Sequence, residues 1–432
     1  MHIFFSGIGG SGIGPLALIA KQAGFEVSGS DKQRSAYTDQ LQHHDIGLHI
    51  GQTEHAIARL HAKKPIDWLV YSSSVERENP NHPELLFARA HNIKLSKRDE
   101  LLNHIIASQN LQLIGIAGTH GKSTTTAMVI WLFRKLRIPI GYSVGAKIPF
   151  GPAGQLAPGS TYFVYECDEF DRNFLAFHPV LSVITGLGWD HHEIFPTEDS
   201  LKQAFNDFLG QSQHSFMWDS DADWLGAKPQ HCSIVAKNNP AIDAITLPGE
   251  YNRHDAWLAV QAVQRLTGES TSTLVAHINE FPGLKQRMEQ LAPNLYTNYA
   301  HTPEKLRGGM ITATELAQKN QPIVVIYEPL TNRRQYFIKN LYKNVFAEAH
   351  KIYWVPTFLA REDPNQPILT PEQLIPNLTN AHIAEPAELN DQLATAIAHH
   401  LKNGHMVVAM GASGNGSLDA WLRQKVKDGA LN

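Results

Sequence analysis

Two glycine-rich turns limit what this chain can fold into. Each follows a short apolar run and precedes a helical one: "HIFFSGIGGSGIGPLALIAKQAG" near the start, and "LQLIGIAGTHGKSTTTAMVIWLF" a hundred residues on. Further apolar runs, "EVSGSD", "WLVYSSSV", "TYFVYE", "VLSVIT", "PIVVIYEP", "KIYWVP" and "HMVVAMGASG", alternate with helical stretches. Strands alternating with helices predict α/β units with parallel sheets wound by right-handed crossovers. A chain of 432 residues is long enough for several such cores. A fresh strand begins after "IIASQN" and a third unit near "FPGLKQRME", predicting three α/β domains at 1–108, 109–279 and 280–432. "HDAWLAVQAVQRLTG" reads as a helix with an apolar stripe closed by Gly268.

Composition excludes several partners. With 37 basic against 41 acidic residues, a net charge of −4 gives no general attraction to nucleic acid or anionic membrane, so a polyanion needs a local site. Two cysteines, Cys167 and Cys232, cannot build a disulfide scaffold or a cysteine zinc site. No apolar run approaches the roughly 20 residues of a membrane span. The start, "MHIFFSGIGG", lacks the basic segment of a signal peptide, so the cytoplasm is the expected location.

The second turn, "GTHGKST", carries the stronger chemical signal. Gly118 and Gly121 permit conformations that aim consecutive N–H groups at an anion, with Thr119 and His120 between them. The helix that follows adds its N-terminal dipole. Lys122 supplies a point charge for β- and γ-phosphates, the Ser123 hydroxyl can ligate Mg²⁺, and Thr124 completes the loop. Strict Walker spacing would put glycine at Ile116, so the loop is shorter than usual, but the expected ligand is ATP.

"YECDEFD" places Glu166, Asp168, Glu169 and Asp171 directly after a strand. Such carboxylates repel unless cations are present, and Mg²⁺ prefers oxygen ligands while keeping waters and phosphates. A solvated acidic turn is the plainer reading, less favoured beside a phosphate loop. "GWDHHEIF" adds Asp190, His191 and His192 after the next strand.

Taken together, "AGTHGKSTTT", "YECDEFD" and "GWDHHEIF" resemble the Mur ligase family, the ATP-dependent amino-acid ligases of peptidoglycan synthesis. The resemblance implies a Rossmann-like N-terminal domain, a central P-loop-type ATP-binding domain and a C-terminal Rossmann-like domain. It implies Ser123, Glu166 and His191 as metal ligands, and Glu169 facing the reacting groups. Gly186 departs from the asparagine usual in the family. "PGEYNRHDAW" resembles the adenine-gripping segment, with Tyr251 able to stack on a purine, Asn252 kept, and Asp255 accepting from the adenine amino group. "LKQRMEQL" supplies Arg287, and "YTNYAHTPEKL" supplies Asn298 at the ribose position together with His301. These residues would reach the nucleotide from the third domain, which implies closure over the reactants.

"GIGGSGIG" fits G-x-G-x-x-G through Gly7, Gly9 and Gly12, with Asp31 following as a dinucleotide site requires. Alone it fits an NAD(P)-binding oxidoreductase equally well. Beside an ATP loop it resembles the sugar-nucleotide loop of the family's muramate–alanine class. That implies UDP-N-acetylmuramate held by Gly7, Gly9, Gly10, Ser11, Gly12, Ser30 and Asp31, with Ser72 and Ser73 from "YSSSVERENP". The resemblance further implies an acyl phosphate formed from the lactyl carboxylate and ATP, then attacked by an amine, in a monomer or weak homodimer. "FLAREDP" matches the alanine class, where Arg361 would clamp the amino acid's carboxylate. A surface-loop arginine is the alternative. "YEPLTNRR" leans instead toward the class that joins a recycled tripeptide, and "MGASGNGSLDAW" matches the alanine class only through Gly411, Ala412 and Asn415. L-alanine is the favoured amine. Lys122, Glu169, His191, Arg287 and Arg361 are the candidate catalytic residues. A folate-type polyglutamate ligase would leave the first loop idle.

Overall fold

Five strands are buried at every residue in the computed structural model, which describes residues 1–10, 12–190, 194–226, 230–360 and 362–431. Among these residues the strands form three sheets. The first is parallel throughout, in the order β3-β2-β1-β4-β5, with β1 at His2–Ser6, β2 at Glu26–Asp31, β3 at Gly47–Ile50, β4 at Trp68–Tyr71 and β5 at Lys94–Ser96. Every residue of β1 is buried, as expected of a central strand covered on both faces. The order reverses between β1 and β4, which leaves a crevice at the strands' carboxyl ends, where the loop Gly7–Gly14 emerges.

The second sheet runs β12-β11-β10-β6-β9-β7-β8. Its strands are β6 (Gln112–Ala117), β7 (Ile140–Ser143), β8 (Gly154–Leu156), β9 (Tyr162–Glu166), β10 (Leu181–Ile184), β11 (Ser215–Trp218) and β12 (Cys232–Val235). Only the β7–β8 pair is antiparallel. Strand β6 lies between β9 and β10, with Ile116 beside Glu166 and Ala117 beside Ile184. The loop after β6, the acidic segment after β9 and the turn after β10 therefore open at one level.

The third sheet runs β13-β14-β18-β15-β16-β17, comprising Glu289–Ala292, Leu295–Asn298, Met406–Met410, Ile323–Tyr327, Lys351–Trp354 and Ala384–Pro386 in that order. Here β13 and β14 pair antiparallel and the other neighbours are parallel. The expected apolar runs are all strands, and the expected helix extends from Glu250 to Thr267, stopping at Gly268 with φ +71°.

By internal packing the chain divides into two compact units, 1–245 with 255–281, and 246–254 with 282–432. The first unit holds the first two sheets and a core including Phe5, Ile19, Phe163, Phe174 and Phe208. In the second unit, Tyr327, Tyr342, Phe346 and Trp354 pack edge to face beneath the third sheet. No helix among the described residues is long and apolar enough to cross a membrane.

Candidate functional site

The loop after β6 has a backbone able to cradle an anion. Gly118 has φ +140°, and a Cβ there would lie 2.6 Å from Thr185 Oγ1 and 3.0 Å from the Gly186 carbonyl. Gly121, at φ +80°, is the N-cap of helix Lys122–Lys135, with no side chain capping that helix. Its first-turn amides have no intrahelical partner and are left for a ligand. The turn after β10 braces the loop: Thr119 donates its N–H to the Gly186 carbonyl at 2.7 Å, and its hydroxyl donates to the Gly188 carbonyl at 2.8 Å. Thr185 also donates to the His120 carbonyl. Gly186 thus contributes backbone where the family pattern has an asparagine side chain, and no described residue lies within 4 Å of its Cβ position.

Two side chains of the loop meet the acidic segment. Lys122 Nζ donates to Glu169 Oε2 at 2.7 Å and to the Gly118 carbonyl at 2.6 Å. Burial works against the lysine charge, but Glu169, Asp168 and Glu166 more than offset it, so the ammonium titrates above an ordinary lysine. Ser123 Oγ donates to Glu166 Oε1 at 2.8 Å, and Glu166 Oε2 accepts from the Gly145 N–H at 2.7 Å. A hydroxyl and a carboxylate meeting at this distance beside a phosphate loop form the oxygen donor set that Mg²⁺ prefers, with its remaining positions left to water and phosphate. Between these carboxylates, burial raises the Cys167 thiol far above its usual range, leaving it an inert core group.

His191 lies outside the described residues, as do Ser11 and Arg361. Asp255, expected at adenine, lies beside the phosphate loop: a Cβ on Gly121 would approach its Oδ1 to 2.6 Å.

The loop after β1 is organised differently. Gly7 adopts φ +79°, and its Cβ position would touch Ser72 and Val75. Asp31 Oδ2 accepts the Gly9 N–H at 2.8 Å, while the Gly10 N–H bonds the Gly7 carbonyl at 3.2 Å. Ser72 is the N-cap of helix Ser73–Glu78, of which Ser73 is the first residue. Beneath the loop Ser6 Oγ donates to Glu84 Oε2 at 2.5 Å, and Ser30 faces the same carboxyl. Burial pushes Glu84 up to about 7.

In the second unit Arg287 Nη1 donates to the Tyr299 carbonyl at 2.7 Å and stacks 5.1 Å above the Tyr299 ring, which in turn packs edge-on against His301 at 4.7 Å. Gln286 and Met288, on either side of Arg287, both hold left-handed φ of +60° and +47°. Such residues rarely adopt this conformation, and it clusters where function fixes a side chain. The Asn298 side chain is buried, its amide nitrogen within 2.6 Å of a Gly309 Cβ position. Tyr251 is 55% exposed and lies over Gly308, while Asn252 donates to the Pro248 carbonyl. Beside Arg361, the Glu362 carboxylate accepts N–H groups from Asn332, Arg333 and Ala360 at 2.9, 3.2 and 2.8 Å. Sequence reading missed this anchor, whose only signal was a carboxylate next to a candidate arginine. It also missed Gly145, which nothing marks in sequence.

Comparison with known proteins agrees with the family resemblance. The description "Mur ligase family, catalytic domain" matches residues 2–110, the span of the first sheet. A UDP-N-acetylmuramate–L-alanine ligase of Caldicellulosiruptor bescii is 28% identical over 462 aligned positions, covering 98% of this chain and 98% of its own. In fold, the chain is similar to the UDP-N-acetylmuramate–alanine ligase MurC of Thermotoga maritima, with a TM-score of 0.74 at 21% identity over 99% of each chain. It is also similar to a murein peptide ligase of Psychrobacter arcticus, with a TM-score of 0.64 at 20% identity, covering 100% of this chain and 99% of that one.

Proposed function

We propose that this chain, a member of the Mur ligase family, is an ATP-dependent, ADP-forming ligase that joins the lactyl carboxylate of UDP-N-acetylmuramate to L-alanine. The observation that carries the reading is the meeting of Lys122 with Glu169, and of Ser123 with Glu166, at adjacent strand ends beside an uncapped helix N-terminus. A relative matched over 98% of both chains and named for that reaction supports the choice of substrates.

Amide formation in water is uphill, so the carboxylate needs activation. A carboxylate oxygen attacks the γ-phosphorus, the bond to the bridging oxygen breaks, and ADP leaves. The neutral amine then attacks the acyl carbon, loses a proton, and the tetrahedral adduct expels phosphate. Lys122 would exchange its contacts with Glu169 and the Gly118 carbonyl for phosphate oxygens, neutralising charge on the transferred group. Glu169, buried at 1% exposure, holds that ammonium in line until then. Ser123 and Glu166 would hold Mg²⁺, which supplies Lewis-acid neutralisation of the phosphates. Tyr251, Asn252, Asp255, Arg287, Asn298 and His301 are proposed for the nucleoside and its phosphates. Much of the remaining acceleration is positioning of the reactants.

Phosphate release from ATP, measured with UDP-N-acetylmuramate and either L-alanine, other amino acids or L-Ala-γ-D-Glu-diaminopimelate, tests the assignment. Release with L-alanine is expected. Release with the tripeptide alone would move the chain to the murein-peptide class, toward which "YEPLTNRR" leans.

A further inference from the structure

We infer that Arg98 is the cation that holds the diphosphate of the sugar nucleotide at the first glycine loop; the inference deepens the ligase reading and rests on it. Arg98 begins helix Arg98–Ser108, which follows β5 and carries no side-chain cap. Its Nη1 lies 2.6 Å from the Cβ position of Gly12, so the guanidinium fills the space that any side chain at residue 12 would need. Gly12 is not among the residues with left-handed φ. Glycine is needed there for room rather than for backbone freedom, and the room is taken by a positive charge.

Among the described residues of the loop, two amides are already spent. The Gly9 N–H is bonded to the Asp31 carboxylate and the Gly10 N–H to the Gly7 carbonyl. Asp31 brings a negative charge close to where phosphates would lie, and helix Gly14–Gln22 starts with Gly14-Pro15-Leu16, without a basic residue in its first turn. The nearby Lys32 and Arg34 are paired with Glu78 and Asp39. A cation from elsewhere in the fold would add the charge that the described loop residues lack, and the guanidinium fork suits phosphate oxygens.

Arg98 is not fully committed to a partner. Its described ion pair, Nη2 to Asp168 Oδ2, is long at 3.9 Å, with 29% and 37% of the two side chains exposed. Its helix is fixed: Asn103 donates to the Ala176 carbonyl at 2.7 Å, tying it to the segment that follows the acidic residues. One guanidinium thus stands between the loop after β1 and the carboxylates after β9. It can grip the sugar nucleotide while facing the side on which the carboxylate is activated.

The test is the affinity of the full-length protein for UDP-N-acetylmuramate and for UDP, by calorimetry, with the Mg²⁺ complex of a non-hydrolysable ATP analogue as control. Arg98→Ala should weaken both uridine ligands about 10- to 100-fold, the range for losing a charge-assisted phosphate contact. The ATP analogue should change less than about 3-fold. Arg98→Lys should fall between, because it keeps the charge and loses the fork. Gly12→Ala should reproduce much of the Arg98→Ala loss by displacing the guanidinium. Asp168→Asn should leave uridine affinity unchanged or higher. The inference is overturned if Arg98→Ala binds the sugar nucleotide as the unaltered protein does, or if Asp168→Asn weakens it by the same factor, which would reduce the pair to a structural bridge. If the unaltered protein binds no UDP-sugar, the ligase reading falls and this inference with it.

Discussion

As phosphate sites, the role proposed for both, the two glycine loops would draw on different resources. At Gly118–Gly121 the cation, the hydroxyl and the helix N-terminus follow one another along the chain, so Lys122 and Ser123 start the very helix whose dipole would face a phosphate. At Gly7–Gly14 the helix opens with apolar residues, the loop amides are partly spent on Asp31 and Gly7, and the positive charge arrives from Arg98, more than eighty residues later. A local phosphate site can be recognised from a short stretch of sequence. A distributed one shows only its glycines, which is why they fit a dinucleotide and a sugar nucleotide alike.

Substitutions can break this contrast. The largest effect is expected for Lys122→Ala, which should lower ATP-dependent phosphate release by at least about 10²- to 10³-fold, since it removes the preorganised charge at the transferred group. UDP-sugar affinity should stay within about 2-fold. Loss of both affinities together would show that the loops are not separate sites.

Next come the glycines of the second loop. Gly121→Ala puts a Cβ into a left-handed residue and 2.6 Å from Asp255 Oδ1, and Gly118→Ala drives one against Thr185. Each should destabilise the protein by about 1–3 kcal/mol and weaken ATP, measured by thermal unfolding with and without nucleotide.

A smaller effect concerns the floor of the first loop. Glu84 titrates at about 7 against an ordinary 4.5, so between those values the native state binds more protons than the unfolded chain. Its stabilisation is complete below pH 4.5 and is lost as pH rises through 7, with a slope on the order of 1 kcal/mol per pH unit. Glu84→Gln should flatten that part of the stability profile. Glu328, raised to about 7, and Asp221, raised to about 6, leave a residual slope of the same sign. A profile that Glu84→Gln leaves unchanged would contradict the assignment. The smallest effect belongs to Gly186→Ala, whose new methyl meets no described residue within 4 Å and should stay within about 0.5 kcal/mol of the parent, with ATP affinity preserved.

How much could be read in advance follows the same division. The strands and the helix ending at Gly268 were legible because apolar runs and turn residues report on neighbours in the chain. Lys122, Ser123, Glu166 and Glu169 were legible because strand ends of one sheet face one crevice. That Asp255 lies beside Gly121 was not legible, because no spacing rule relates residue 255 to residue 121. The isolated signal for Arg98 was equally weak, since a basic residue at a helix start is commonplace.

Sequence alone determined the alternation of strand and helix, the position of both glycine loops and the lysine and serine that open the helix after the second, because each depends on interactions only a few residues apart. The tertiary structure decided which carboxylate meets the lysine, which backbone braces the loop and which arginine fills the space beside Gly12. Those pairings depend on the order of strands across a sheet and on how helices pack over it, and chain spacing does not encode that order.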